Sequence, residues 1–283
     1  MRIGLFCAAL LAGCAPMLQL QDHPLSGRIW DARAAVFISD EELFGRAASA
    51  LHVVLGETHD NPENHRLQRV ALEALAARGA PRVLAMEQFD SEHQRAINAA
   101  RAKGAGAEAL ADAGRFDRRG WDWPLYRPLV EFALERGWPL VAANLSRAEA
   151  RAIVADPSRS ALPPADAALR SALERDMIES HCGERPDAKR LAGMVEAQRA
   201  RDARMAGILA APLAGVLIAG NGHARKDRGV PLHLPGAELV SIGFLEVTGE
   251  KHSPQDYSVG RFDYAWFTPR QQRVDPCAGP RAR

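Results

Sequence analysis

Short apolar runs rich in β-branched residues alternate along the chain with longer segments whose apolar positions recur every three or four residues. Runs of four to eight such residues are typical of buried strands, and the longer spacing is typical of amphipathic helices. Four runs predict buried strands, over residues 51–56, 82–86, 138–143 and 215–220. The helical spacing predicts helices over residues 62–78, from about 91, and over 124–136, 147–154, 164–180 and 187–211.

The alternation of strands and helices predicts the fold class. Strand, helix and strand in succession is the order of a parallel sheet covered by helices on both faces. We therefore expect an α/β fold with a mainly parallel central sheet flanked by helices. Helices outnumber strands in the middle third of the chain, which predicts a helical insertion there. Shorter strands are expected between residues 238 and 268, one of them over residues 261–267.

Polar side chains follow each of the four predicted strands. They are Glu57, His59, Glu87, Asn144, Asn221 and His223. Ligands of open parallel sheets bind beyond the carboxyl ends of the strands. We therefore expect these side chains to meet at one edge of the sheet. We call Glu57, His59, Glu87 and His223 the strand-end site, with Asn144 and Asn221 as supporting residues.

The long helix predicted over residues 187–211 carries a second set of polar groups. Gln198 and Asp202 lie on its apolar stripe, and buried polar groups need hydrogen-bond partners. These two side chains are expected either to support the strand-end site or to pair with the neighbouring Arg199 and Arg201. The sequence leaves both alternatives open.

Two imidazoles and two carboxylates allow two kinds of chemistry. The strand-end site could hold a divalent metal such as zinc or manganese, or it could be a metal-free acid–base site with His59 as the base. Either arrangement would suit a hydrolase of a small ester or peptide. The chain has neither a GxSxG motif nor a GxxxxGK[ST] motif. Serine hydrolases and P-loop enzymes therefore have no support in the sequence.

Composition and charge exclude other classes of protein. The 283 residues include 36 lysines and arginines and 35 acidic residues, which gives a formal charge of +1. Proteins that bind nucleic acids through bulk electrostatics usually have a strong basic excess, so no nucleic-acid partner is expected. With 47% hydrophobic residues, the chain is too apolar to be disordered.

The amino terminus predicts export and a lipid anchor. A single arginine precedes a short apolar run, which is too short to cross a bilayer and is typical of a cleavable signal. The run ends in Leu11-Ala12-Gly13-Cys14, which is similar to a bacterial lipobox. We expect residues 1–13 to be a signal peptide and Cys14 to be acylated, with residues 14–39 as a tether and leading segment. The alternative is an ordinary signal peptide with a chance cysteine.

Two cysteines remain once Cys7 is removed with the signal and Cys14 is acylated. An even number of cysteines in an oxidising compartment predicts a disulfide between Cys182 and Cys277. Closing a loop of roughly 100 residues is worth about 4–5 kcal/mol in the chain-entropy account. Two unpaired thiols are the alternative.

Four short motifs lie at the predicted strand ends and in the helix beginning near residue 124. They are LGETHDNP at 55–62 with His65 behind it, ME at 86–87, YRP at 126–128 and GNGH at 220–223. Their combination resembles the ChaN family of haem-binding lipoproteins, in the wider Tiki/TraB and erythromycin-esterase-like superfamily. The resemblance implies one α/β haem-binding domain over residues 40–270, followed by a tail over residues 271–283.

The resemblance also implies a function. A member of this family would be a periplasm-facing lipoprotein of the outer membrane that works with other components in haem or iron uptake. It would be a homodimer holding two haems face to face. Each iron would be bound by a tyrosine, with a histidine assisting from the partner subunit.

Several residues are candidates for haem contact under this resemblance. Tyr126 is the preferred iron ligand because it lies in a helical segment rich in aromatic residues, and Tyr264 is the second tyrosine considered. His59, His223, His181 and His93 are the candidate histidines. Two classes of function therefore stay open, a haem-binding protein and a hydrolase that uses the strand-end site.

Overall fold

A computed structural model describes residues 18–79, 82–210, 213–275 and 277–278. The predicted signal peptide and Cys14 lie outside the described residues. Ten strands occur in the described part of the chain: β1 Leu18–Gln19, β2 Ile29–Asp31, β3 Val36–Ile38, β4 His52–Leu55, β5 Val83–Asp90, β6 Leu140–Asn144, β7 Gly215–Ile218, β8 Leu239–Glu246, β9 Tyr264–Thr268 and β10 Arg270–Gln271.

Nine α-helices occur in the same described residues: α1 Asp40–Ser49, α2 Pro62–Arg78, α3 Gln94–Ala102, α4 Ala107–Ala113, α5 Trp123–Glu135, α6 Arg147–Ala155, α7 Ala167–Ser180, α8 Ala188–Leu209 and α9 Asn221–Ala224. Local sequence explains where α2 begins and ends. The side chain of Asn61 accepts from the amides of Glu63 and Asn64, Pro62 occupies the first turn, and Gly79 follows the last.

The main sheet has eight strands in the order β3-β2-β9-β8-β4-β7-β5-β6. The six strands from β9 to β6 are parallel, whereas β2 is antiparallel to both β9 and β3. The predicted α/β class with a mainly parallel sheet is therefore confirmed. Helices α6, α7 and α8 lie between β6 and β7 in the chain and form the helical insertion of the middle third.

Apolar side chains of the central strands enter two core layers. Val53 and Leu55 pack with α2 and α5 on one face of the sheet, and Val54 packs with α8 on the other. All three side chains are fully buried because successive residues of a strand point to opposite faces, and helices cover both. This double cover explains why the sequence of β4 is a continuous apolar run. No helix in the described part of the chain is long and apolar enough to span a membrane.

Cys182 and Cys277 form a disulfide with their Cα atoms 5.4 Å apart. This is the predicted pair. It links the residue after the carboxyl-terminal cap of α7 to the tail of the chain, across a sequence separation of 95 residues.

Candidate functional site

The carboxyl ends of β4, β5, β6 and β7 lie at one edge of the sheet, as the sequence predicts. Glu57 follows β4 by two residues, Glu87 lies within β5, and Asn144 ends β6. His223 lies in the short helix α9 that follows β7. The strand β5 is longer than predicted. It continues to Asp90 through a register shift against β6, so Glu87 is a strand residue and does not lie in the loop beyond.

Glu57 is the centre of a buried hydrogen-bond network. Its Oε1 atom accepts from the hydroxyl of Tyr126 at 2.6 Å and from Nε2 of Gln88 at 3.1 Å, and Nδ1 of His59 lies 2.9 Å away. Its Oε2 atom accepts from Nε2 of Gln68 at 2.9 Å. Burial would raise the pKa of Glu57, but the nearby His65 and His59 rings and these hydrogen bonds outweigh it and lower the pKa. The carboxylate is therefore held in its ionised form.

His59 is the accessible member of this network. Its side chain is 47% exposed, and its ring packs edge-on against Trp121 with the centroids 4.6 Å apart. Burial opposes the charged form, but Glu57 and, more weakly, Glu87 outweigh it, so the pKa of His59 is raised. With Nδ1 held by Glu57, Nε2 is the ring nitrogen without a hydrogen bond among the described residues. The contact between Nδ1 and Glu57 fixes the orientation of the ring.

Glu87, His223 and Asp202 form a second buried network. Nδ1 of His223 lies 2.6 Å from Oδ1 of Asp202, and its Nε2 lies 3.2 Å from Oε1 of Glu87. Burial disfavours the imidazolium, but the two carboxylates outweigh it and raise the pKa of His223 to about 10. Burial likewise opposes the Glu87 carboxylate, yet His223 lowers the pKa of Glu87 to about 2. Burial raises the pKa of Asp202 to about 6 despite His223.

Gly220 lies between the two networks. Its amide donates to Oε2 of Glu87 at 2.8 Å. A Cβ atom at this position would lie 2.7 Å from Cε1 of His59 and 3.8 Å from Oε2 of Glu87. The four residues of the strand-end site are therefore brought together, as two carboxylate–imidazole pairs on either side of one glycine.

The predicted supporting residues lie beside these networks. Asp202 binds His223, and Nε2 of Gln198 lies 3.3 Å from the same ring. The side chain of Asn144 donates to the carbonyl of Glu87 at 3.0 Å. Asn221 donates to the carbonyl of Phe244 at 2.6 Å and so holds the loop after β7.

Four further residues belong to the site but are not among the predicted site residues: Gln68, Gln88, His65 and Trp121. His65 and Gln68 lie on the buried face of α2 together with Leu72 and Leu75. Polar residues on the apolar face of a predicted helix are the signal that could have identified them.

The three tyrosines of the chain are all buried. Tyr126 is completely buried, its hydroxyl donates to Glu57, and burial together with that carboxylate raises its pKa further above the ordinary value. Tyr264 is buried in the main core, and Tyr257 is buried with its hydroxyl on the backbone of Thr248 and Lys251. Neither side chain is accessible in this structure, and the assignment of Tyr126 or Tyr264 as an iron ligand stays a prediction.

The carboxylates of the strand-end site are bound to protein donors in this structure, and the metal alternative there stays a prediction. Among the described residues, the side chains of Asp90, Glu92 and His93 place three possible metal-ligand atoms within 4.8 Å of one another. His93 lies 3.4 Å from Glu92. His181 lies apart from the strand-end site, at the carboxyl-terminal cap of α7.

The comparisons with known proteins agree with this fold. Residues 43–234 match the family described as haem-binding uptake, Tiki superfamily, ChaN. One similar structure is that of ChaN of Campylobacter jejuni, described as showing cofacial haem binding. Its sequence is 25% identical to this one, and the TM-score is 0.73, covering 84% of this chain and 95% of that chain. RRSP, a toxin effector domain from Vibrio vulnificus, is 17% identical with a TM-score of 0.45, covering 87% of this chain and 41% of that one. No curated protein sequence matches.

The fold and the family match define the class as an α/β protein of the Tiki superfamily. Within that class the chain belongs to the ChaN family of haem-binding uptake proteins, because the match extends over more than half of its length. Haem is therefore the ligand that the family supports for this chain.

Proposed function

We propose that this protein is an exported, lipid-anchored haem-binding protein of haem uptake that works as a homodimer. The similarity to a ChaN protein along 95% of that protein's length carries the proposal. The apolar run before Cys14 supports the anchor, and the Cys182–Cys277 disulfide supports an oxidising compartment outside the cytoplasm. The proposed location is the periplasmic side of the outer membrane.

Tyrosine ligation of the iron is the finer part of this proposal, with Tyr126 as the preferred ligand. All three tyrosines of the chain are at least about nine-tenths buried, with relative exposures of 0% for Tyr126, 8% for Tyr257 and 8% for Tyr264. Iron ligation by Tyr126 would require its hydroxyl to leave Glu57 and become accessible. Histidine is the other common protein ligand of haem iron.

A hemin titration of the full chain in detergent tests the proposal. We expect a saturable, ligated Soret spectrum, with protein-free micelles as the blank. Sedimentation is expected to show a shift to the dimer mass as hemin binds. Tyr126→Phe is expected to lose the ligated spectrum, because it removes the proposed iron ligand.

Two results would contradict these expectations separately. A titration that shows only free hemin partitioning into micelles would overturn the proposed function. Retention of the ligated spectrum by a correctly folded Tyr126→Phe protein would rule out Tyr126 as the iron ligand and leave the function intact.

A hydrolase is the second candidate function, and the geometry of His59 favours it. The ring is almost half exposed and is oriented by a buried carboxylate, which is the arrangement of a general base. This candidate requires no metal, and its substrate would be a small ester or peptide. It uses the strand-end site whether or not haem binds elsewhere on the chain.

Turnover of ester and peptide substrates by His59→Ala tests this second candidate. The activity of His59→Ala is expected to be about 100-fold or more below that of the wild-type protein, because a positioned acid or base typically contributes that much. His252→Ala is the matched control, because it removes an exposed histidine that is not part of the strand-end site. Equal turnover in wild type and His59→Ala would exclude His59 as the base.

A further inference from the structure

A pocket of about 300 Å³ opens at the carboxyl ends of β4 and β8, the edge at which ligands of open parallel sheets bind. Its walls come from Thr58 after β4, the start of α9, the end of β8, and the loop that joins β8 to β9. Small-molecule sites usually enclose about 300–1,000 Å³, so this pocket suits a small ligand. It is separate from the strand-end site, whose four residues lie outside its described lining.

Three cations line this pocket: Arg225, Lys251 and Arg261. The carboxylate among its described lining residues is Glu246, and this carboxylate is already bound within the protein. Arg273 donates to it through two nitrogens, at 2.6 and 2.8 Å. The lining therefore offers a ligand more positive than negative charge.

Arg225 is buried, and its charge is balanced inside the protein. Its Nε and Nη2 atoms donate to the two carboxylate oxygens of Asp227, at 2.9 and 2.6 Å. Arg228 completes this cluster by donating to Asp227 at 3.1 Å and to Asp176 at 2.7 Å. Two guanidinium groups and two carboxylates thus neutralise one another.

Arg261 carries a charge that this cluster does not balance. It is partly buried, and its guanidinium makes no hydrogen bond or ion pair with any residue that the structure describes. Burial lowers the pKa of Arg261, and the nearby Arg225 and Arg228 lower it further. Charged groups held away from water are normally paired, so the position of Arg261 points to an anion from outside the chain.

Lys251 and two hydroxyl groups complete the polar lining. Nζ of Lys251 lies 5.2 Å from the centre of the Tyr257 ring, in a cation–π contact, and has no carboxylate partner in the described part of the chain. Thr58 and Ser258 each add a hydroxyl that makes no hydrogen bond to a described residue. The pocket thus presents two unbalanced positive charges and two available hydroxyl donors.

We propose that this pocket binds a small phosphate monoester, with the phosphate held by Arg261, Lys251 and Thr58. A monoester is a dianion at pH 8, since its second pKa is about 6, and it therefore matches two unbalanced cations. Arginine and lysine are common phosphate ligands in proteins. Tyr257 and Phe262 give the pocket an apolar wall for the organic part of the ligand. The site is additional to the proposed haem-binding function and does not rest on it.

Calorimetric titration of the full chain in detergent with phenyl phosphate tests the site. We expect saturable binding at pH 8. Arg261→Gln and Lys251→Gln are each expected to weaken it by about ten-fold, the effect of losing one charge-assisted hydrogen bond. Arg190→Gln and Lys189→Gln are the matched controls and should bind like the wild type, because each removes an exposed cation of α8 that does not line the pocket.

Two further probes define the ligand. Phenyl sulfate has nearly the same shape as phenyl phosphate but a single negative charge, so it should bind about ten-fold more weakly. Phosphatidic acid in mixed micelles presents the monoester on a lipid. If these micelles displace phenyl phosphate and phosphatidylcholine micelles do not, the phosphate belongs to a lipid headgroup. If neither displaces it, the ligand is a soluble ester.

Three results would overturn the proposal. The first is a lack of saturable phenyl phosphate binding by the wild type. The second is equal affinity, either of the wild type and both pocket variants or of phenyl phosphate and phenyl sulfate. The third is loss of hemin binding in Arg261→Gln and Lys251→Gln, which would place these cations at the haem. A wild type that binds phenyl phosphate but not hemin would overturn the haem-binding proposal alone.

Discussion

Replacing Glu57 with leucine is expected to lower the free energy of unfolding by about 3–5 kcal/mol, the cost of removing one partner from a buried ionic network. The carboxylate accepts from Tyr126, Gln68 and Gln88, and all three donors would lose this charged acceptor in a region closed to water. Urea denaturation followed by circular dichroism measures the loss. It would be a large share of the 5–15 kcal/mol typical of a folded domain.

Two other variants calibrate this result. Glu57→Gln keeps the shape and one acceptor oxygen, so an intermediate loss is expected. Glu73→Gln is the control, because its side chain is 49% exposed and its contact is a surface ion pair with Arg69. A loss below about 1 kcal/mol for Glu57→Leu, the size of a single ordinary hydrogen bond, would contradict the network described here.

Gly193→Ala is expected to destabilise the chain by about 3 kcal/mol, at the upper end of the usual cost of overpacking. A Cβ atom at Gly193 would lie 2.1 Å from the carbonyl oxygen of Val154, in the backbone of α6. The clash is with main chain, so α8 would have to move away from α6. The midpoint of thermal unfolding and urea denaturation both measure this effect.

Gly207→Ala on the same helix is the matched control and should act in the opposite direction. Gly207 is exposed, and nothing lies within 4 Å of a Cβ atom placed there. Alanine is therefore expected to stabilise α8 by about 0.5–1 kcal/mol through helix propensity. Equal changes in the two variants would show that the α6–α8 approach is not tight at Gly193.

The sequence predicts the parts of this structure that depend on local pattern. Helix α2 is predicted to its last residue, because Pro62 and Gly79 mark its ends. The strand-end positions of Glu57 and His223 follow from apolar runs that end abruptly. Strands β2 and β3 are not predicted, because three-residue strands are too short to establish a period.

Contacts between distant segments could not be predicted in the same way. Tyr126 meets Glu57 across 69 residues, and no local pattern tells which buried hydroxyl meets which carboxylate. The end of β5 is underestimated because the apolar run stops at Met86, while the backbone continues to pair with β6 to Asp90. The disulfide is an exception, because only two cysteines remained to pair.

The two-stranded pair of β1 and β10 bears on how an anchored copy would meet the bilayer. Three residues separate Cys14 from Leu18, so an acylated Cys14 would keep β1 within about 15 Å of the lipid headgroups. Arg273, just after β10, binds Asp60 beside His59, and the tail continues to Cys277 next to the turn of His181. In a copy anchored through acylated Cys14, a poorly soluble porphyrin could pass directly between the membrane and the protein without crossing the open periplasm.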